Sequence, residues 1–366
     1  MSEVYYSSIF SELTKQVQAR IDAASELRKR LFDQNVYERF LEWDTPTVGF
    51  NFEEIIGSYN LGVAAATLDS KGKEPIMGTE GLATIAKKVL IHQMTLPMPI
   101  EDYRKVLQLL DSRMISDQAK KQQLVNLMWG GVERVVESVQ AKIDIIFLGA
   151  LSNKGVFSFT QENNPEGGVR GNIDYGMPQE NIATADTQWT EGNIDTVDVF
   201  EDIQGIVDAA QEKVTFDRIL LDQKRLSYIL RSKKMKQVIF GTDKSSSPLL
   251  LANLNEFMRS NGLPVFEVIR RMTRIQDNGK IREYKPWNDK SLVFVPEGHV
   301  RSGDGFVWLL RPEPGVAYSN YGRIRISQWG KGETDNSNGV EFTKAQSISL
   351  PVITEINGIY SLSVES

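Results

Sequence analysis

One apolar stripe constrains this chain more than any other feature. Leu124, Met128, Val132, Val135, Val139, Ile143, Ile146 and Ala150 recur three or four residues apart behind Ser116. That spacing predicts one helix of about 30 residues, roughly 45 Å long, started by Ser116 and acting as a spine for the rest. Gly130-Gly131 lies in its middle. Each glycine costs about 1 kcal/mol relative to Ala in a helix, so a kink or a close backbone contact is expected there, and both are hinge candidates.

Ahead of the spine, residues Ser11 to Trp43 carry Leu13, Val17, Ile21, Ala24, Leu27 and Leu31 at helical spacing. They read as a single amphipathic helix, ended by Thr45-Pro46, that docks on its own domain or lies on a neighbour. From Val48 to Ile100 the texture turns to Gly, Thr, Val and Ile. The turn signal Asp69-Ser70-Lys71-Gly72 sits between short extended runs, and "LATIAKKVLIHQMTLPMPI" reads as a strand ended by prolines. With few large apolar residues, this is an extended hairpin needing support from elsewhere.

Behind the spine, "GVFSFTQENN" and "GVRGNIDYGMP" are short strands joined through a turn-prone tract. Helices over Thr196 to Glu212, Gln223 to Arg231 and Leu249 to Ser260 then alternate with the buried strands "DRILL" and "SLVFVPEG". Val265 to Ile275 and Lys280 to Tyr284 are expected to pair about Asp277-Asn278-Gly279. The last segment is extended to its end, with Asn357-Gly358 as a tight hairpin turn and the short strands behind the spine as its partner. The fold class is therefore α+β, and no fixed-period repeat is present.

With 366 residues and 41% apolar content the chain can build a real core. It has no cysteine, which excludes disulfides, thiolate metal sites and a cysteine nucleophile. The net charge of −6 argues against a surface committed to nucleic acid, so any basic stretch acts locally. No run reaches the length of a membrane span, and the N-terminus lacks the apolar core of a signal peptide. Soluble, cytoplasmic synthesis is expected.

Sequence patterns for a catalytic site are missing. There is no phosphate-binding glycine loop, no H-E-x-x-H and no G-x-S-x-G, and the two histidines, His92 and His299, are far apart. His92 stands among Leu90, Ile91, Met94 and Leu96, the setting of a structural histidine. Trp189 in "ADTQWTEG" suits an anchor between segments better than a stacking platform. The tract Asp335-Asn336-Ser337-Asn338-Gly339 is rich in oxygen but lacks calcium-loop spacing and reads as a surface turn. No cofactor and no metal is expected.

Four stretches carry a resemblance. "TQWTEGNIDTVDVFEDIQGIVDAAQ" joins a Trp to an acidic run and a helix. "FDRILLDQKRLSYILRSKKMKQVI" gives strand, helix and basic stretch. "LPVFEVIRRMTRIQDNGKIREYKPWNDKSLVFVPEG" is a hairpin followed by a buried strand, and "AQSISLPVITEINGIYSLSVES" closes the chain. In this order they resemble the major capsid proteins of tailed bacteriophages, the Hong Kong 97-type fold, and within it the lambda-like group with major capsid protein E. The likeness runs from about residue 50 onward.

The resemblance implies an N-terminal arm (1–47), an extended loop (48–100), a peripheral domain with the spine (101–190), an axial domain (191–337) and returning C-terminal strands (338–366). It implies a structural, non-enzymatic subunit that forms pentamers and hexamers of an icosahedral head around packaged double-stranded DNA. Expected partners are further copies of itself, a scaffolding protein, a portal protein, a decoration protein and the DNA, touched without sequence preference on the inner face. No membrane is involved. The place of action is the virion shell, assembled in the host cytoplasm.

Candidate contacts between subunits are Leu13, Val17 and Ile21 on the arm, Asp69, Lys71 and Lys73 on the loop, and Arg270, Arg271, Arg274 and Arg282 around the basic hairpin. Gly57, Gly62, Gly78 and Gly81 join Gly130 and Gly131 as hinges. Other readings are the shell of a cellular nanocompartment with the same fold, a nucleic-acid-binding protein using the basic hairpin at 265–287, and an enzyme with a carboxylate site.

Overall fold

In the computed structural model the described residues are 11–41, 43, 90–167, 169–211, 213–242, 247–296, 316–330, 341–353 and 356–365. The first of these segments departs from the single helix expected of it. Its apolar residues divide between α1 (Thr14–Ala23) and α2 (Ser25–Gln34), with Ala24 at φ −78°, ψ 64° interrupting the ladder. The Arg28 guanidinium spans the break and donates to the Asp22 carbonyl at 2.9 Å, pairing a carbonyl that the helix end leaves over. Each half is thus free to turn its own stripe inward.

Strand β1 (Ile91–Pro97) follows, as the proline-ended run suggests. Helix α3 (Ile100–Asp111) was not anticipated. It starts directly behind Pro99, with Glu101 and Asp102 in its first turn, where negative charge complements the helix dipole. The spine is α4 (Asp117–Ser152), 36 residues long. Ser116 caps it, its hydroxyl accepting from the Ala119 N–H at 3.4 Å. Up to Val139 burial follows the stripe, whereas Ile143 through Ser152 are buried on every side. The spine's last turns therefore run through the middle of the molecule.

The helix passes unbroken through Gly130-Gly131. A Cβ at Gly130 would meet nothing within 4 Å, and one at Gly131 only the Leu96 side chain at 3.7 Å. The expected close contact is instead at Gly149, where an added Cβ would stand 2.6 Å from the Phe157 ring.

Strands β2 (Val156–Phe159) and β3 (Gly171–Asp174) form an antiparallel pair. They are followed by β4 (Ile182–Thr184), α5 (Val199–Ala210), β5 (Phe216–Leu221), α6 (Gln223–Arg231), α7 (Lys233–Phe240) and α8 (Leu251–Ser260). Asp198, Asp222 and Ser232 cap α5, α6 and α7 with side-chain oxygens. The chain continues through β6 (Val265–Val268), β7 (Thr273–Asp277), β8 (Lys280–Tyr284), β9 (Ser291–Pro296), β10 (Ala317–Tyr321), β11 (Ile324–Gly330), β12 (Glu341–Ile348) and β13 (Tyr360–Ser363).

Among the described residues two larger sheets result. One is antiparallel, in the order β1-β12-β11-β10, and the other is mixed, in the order β4-β13-β9-β5-β6. The long strand expected over Val265 to Ile275 is split between the mixed sheet and a separate hairpin. Its first half, β6, runs parallel to β5 in the mixed sheet, and only β7 pairs with β8. Asn278 and Gly279 both have positive φ, 51° and 77°, as the two-residue turn between β7 and β8 requires.

The C-terminal expectation also needs correction. β12 lies between β1 and β11, and β13 lies between β9 and β4, so neither joins β2 or β3. Asn357-Gly358 belongs to a short 3-10 turn rather than a hairpin, because the strand behind it pairs with β9 and β4 and not with its own upstream segment.

Among the described residues apolar side chains close three clusters. Around the C-terminal half of α4 are Ile143, Ile146, Phe147, Phe157, Ile173, Ile269 and Val293. Trp189, Ile203, Ile219, Ile229, Leu254 and Phe294 hold α5 to α8 on the mixed sheet. The third joins α1 and α2 to the N-terminal half of α4 and to Ile324, Ile326 and Ala345 of the antiparallel sheet.

Candidate functional site

A polar knot sits where the arm, the spine and the β6–β7 connection meet. Gln140 and Asp144 are one helical turn apart on α4, with 3% and 0% of their surface exposed. Buried polar groups of this kind require partners. Asp144 Oδ1 accepts from the Tyr37 N–H at 2.9 Å, and Oδ2 from Arg271 Nε at 2.7 Å. Arg271 Nη2 also donates to Asn35 Oδ1 at 2.9 Å. Asn35 Nδ2 in turn donates to Gln140 Oε1 at 3.1 Å, and Gln140 Nε2 to Glu38 Oε1 at 3.0 Å. Burial raises the Asp144 carboxyl to about 6 against the pull of Arg271 and the Tyr37 and Val36 backbone. Burial likewise raises Glu38 to about 7, opposed by its hydrogen bond with Tyr37 and reinforced by the charge of Asp144.

Beside the knot lies a cavity of about 540 Å³ between α2 and the β6–β7 connection. Phe32, Val36, Val268, Arg270 and Met272 line it, and both Phe32 and Met272 are about half exposed. Apolar side chains also stand out on and just beyond α3, where Leu107, Leu110 and Met114 are exposed. These surfaces were missed from the sequence. The helix itself could have been found from Pro99 and the first-turn acids behind it.

The arm residues proposed as contacts to a neighbour are turned elsewhere. Leu13, Val17 and Ile21 are 2–3% exposed, packed on the chain's own spine and antiparallel sheet, because that surface supplies the apolar cover their stripe needs. Arg271 is likewise committed within the chain, to Asp144, and Arg282 donates to the Glu162 carbonyl. Arg270 and Arg274 are exposed and make no ion pair among the described residues. Asp69, Lys71, Lys73, Gly57, Gly62, Gly78, Gly81, His299 and the 335–339 tract lie outside the described residues.

His92 is buried, its Nε2 3.0 Å from the Ser349 carbonyl, and burial lowers it to about 4, as fits a structural histidine. Trp189 stacks on Tyr228 at 5.8 Å and donates from Nε1 to Asp202 at 2.7 Å. Its carbonyl accepts from the buried Arg225 at 2.8 Å, which makes it an anchor. No group of metal-ligating side chains occurs among the described residues, and none of their helices is long and apolar enough to cross a membrane.

The model of the family "Phage major capsid protein E" matches residues 90–364. The chain belongs to this family. Among solved structures, this capsid protein is similar to one assigned as a prophage capsid protein of Escherichia coli CFT073, at 15% identity and TM-score 0.58, over 96% of this chain and 98% of that one. The shared architecture is that of the Hong Kong 97-type fold. A phage-related protein of Bordetella bronchiseptica RB50 is similar at 10% identity and TM-score 0.45, over 99% and 98% of the two chains. A virus-like particle protein of Pyrococcus furiosus follows at 9% identity and TM-score 0.41, over 93% and 100%. No curated protein matches the chain. Family membership makes it a structural shell protein of a phage capsid.

Proposed function

We propose that this capsid protein is the repeating unit of an icosahedral head, joined in pentamers and hexamers around packaged double-stranded DNA. The observation that carries the reading is the family match over residues 90–364. Heterologous contacts, in which one patch meets a different patch on the next copy, close the rings, and contacts between rings close the shell. Individually weak contacts suffice, since each subunit makes many at once. Exposed Phe32, Met272, Leu107, Leu110 and Met114, with the exposed Arg270 and Arg274, supply surface for such contacts.

The arm, loop, peripheral, axial and C-terminal divisions at 1–47, 48–100, 101–190, 191–337 and 338–366 belong to the same proposal. So do loop contacts through Asp69, Lys71 and Lys73, with Gly57, Gly62, Gly78 and Gly81 absorbing the difference between five-fold and six-fold surroundings. A scaffolding protein, a portal protein and a decoration protein complete the partner set. The DNA is touched without sequence preference, catalysis is not part of the role, and assembly takes place in the host cytoplasm.

Sedimentation velocity of the purified chain, with and without its scaffold, tests the reading. Discrete ring-sized and shell-sized species are expected. A single monomer species under both conditions would contradict it.

A further inference from the structure

Charge does not balance inside the polar knot. Asp144 and Glu38 bring two carboxyl groups, and among the described residues Arg271 is the one guanidinium hydrogen-bonded within it. Asp144 is dressed as an anion, since both oxygens accept from N–H donors, one of them charged. Glu38 is not. Its Oε1 takes the neutral Gln140 amide at 3.0 Å and the Tyr37 hydroxyl at 3.3 Å. The other groups facing it are Asp144 on α4, Tyr321 at the end of β10 and, across Tyr321, Arg28 of α2. Arg28 already spends donors on the carbonyls of Ile21 and Asp22. An ionised Glu38 would therefore be a second anion beside Asp144, with no cation hydrogen-bonded to it among the described residues.

We propose that Glu38 is a proton-operated latch, which fastens the end of the N-terminal arm to the spine when protonated and loosens it when ionised. The position suits the task, because Asn35 to Glu38 is where the arm leaves α2 and ties to α4 and Arg271. Upstream, the arm covers more than an apolar groove. Gln18 on α1 exchanges two hydrogen bonds with the Asn320 backbone on β10, at 3.0 and 2.8 Å, and so occupies the outer edge of the antiparallel sheet. Loosening the latch bares a strand edge and the stripe of α4, the two kinds of surface that a further copy of the chain can pair with.

The direction follows from burial. Glu38 is raised from 4.5 to about 7 while the arm is fastened and returns to its ordinary value when the arm is free. Fastening is thus complete below pH 4.5 and is lost as pH rises through about 7. The latch is a property of one chain. Only its use in assembly rests on the shell reading.

Hydrogen exchange followed by mass spectrometry on the dispersed full-length chain provides the test, comparing wild type with Glu38→Gln at each pH so that the intrinsic pH dependence of exchange cancels. The ratio of wild-type to variant exchange across the peptides of α1, α2 and residues 35–41 is expected to grow about ten-fold between about pH 5 and about pH 8, allowing for the partial exposure of Glu38. Peptides of β5 are expected to show no such trend. A ratio that stays constant, or falls with pH, overturns the latch. Should Glu38→Gln fail to fold, Glu38→Met, uncharged and of similar length, is read the same way. Asp144→Asn, which takes the counter-charge from Arg271, is expected to speed arm exchange at about pH 8, above the raised Asp144 value of about 6. Unchanged protection there would contradict the assignment of Asp144 as the ionised member. Particle assembly is scored separately, so a failed latch and a failed shell reading remain distinguishable.

Discussion

Gly149 lies where the spine meets Phe157, and its missing side chain is what lets the ring approach. Gly149→Ala is expected to cost about 1–3 kcal/mol in urea unfolding, since a ring fixed in a closed cluster cannot step aside cheaply. Gly130→Ala, in open space on the same helix, is expected to stabilise by up to about 1 kcal/mol through helix propensity alone. Equal effects at the two sites would contradict this account of the spine. His92 sets a second expectation. The buried imidazole stays neutral down to about 4, whereas the unfolded one takes its proton near 6.5. Stability from this residue is therefore full above 6.5 and declines as pH falls toward about 4. His92→Gln should flatten the acid side of the pH–stability curve in that window; an unaltered slope would remove His92 from the cause.

The arm shows best what a sequence can and cannot declare. Leu13, Val17, Ile21, Leu27 and Leu31 were legible as an apolar stripe, but a stripe names no partner, and this one is covered by the chain's own spine and sheet. Ile21→Ala is accordingly expected to lower the stability of the dispersed subunit by about 2–4 kcal/mol. No change in melting, with a defect in assembly only, would return Ile21 to the interface between copies. The break at Ala24 had no proline or glycine to announce it. By contrast the β7–β8 turn was readable, because Asn278-Gly279 is the dipeptide that positive φ at two successive positions selects. The buried strand β9 was equally plain in "SLVFVPEG". Its neighbours were not, since β13 and β5 come from distant parts of the chain and local patterning carries no register between them. The polar knot was hidden for the same reason. Asp144 reads as a lapse in an apolar run until Arg271 and Tyr37 are brought beside it.

For the molecule as a whole, the order of elements spoke more clearly than any single motif. Arm, spine, short strands, mixed sheet with helices, and a C-terminal return resembled a phage capsid subunit, and the family match over residues 90–364 establishes that relationship. The described residues close three cores of their own yet leave apolar side chains on α2, beyond β6 and along α3 exposed among them. That combination suits a subunit which folds alone and is completed by its neighbours. Electron microscopy of negatively stained particles from cells expressing the chain tests this most directly. Closed shells, or isolated five- and six-membered rings, are the predicted result; a uniform population of monomers, even with scaffold present, would contradict it.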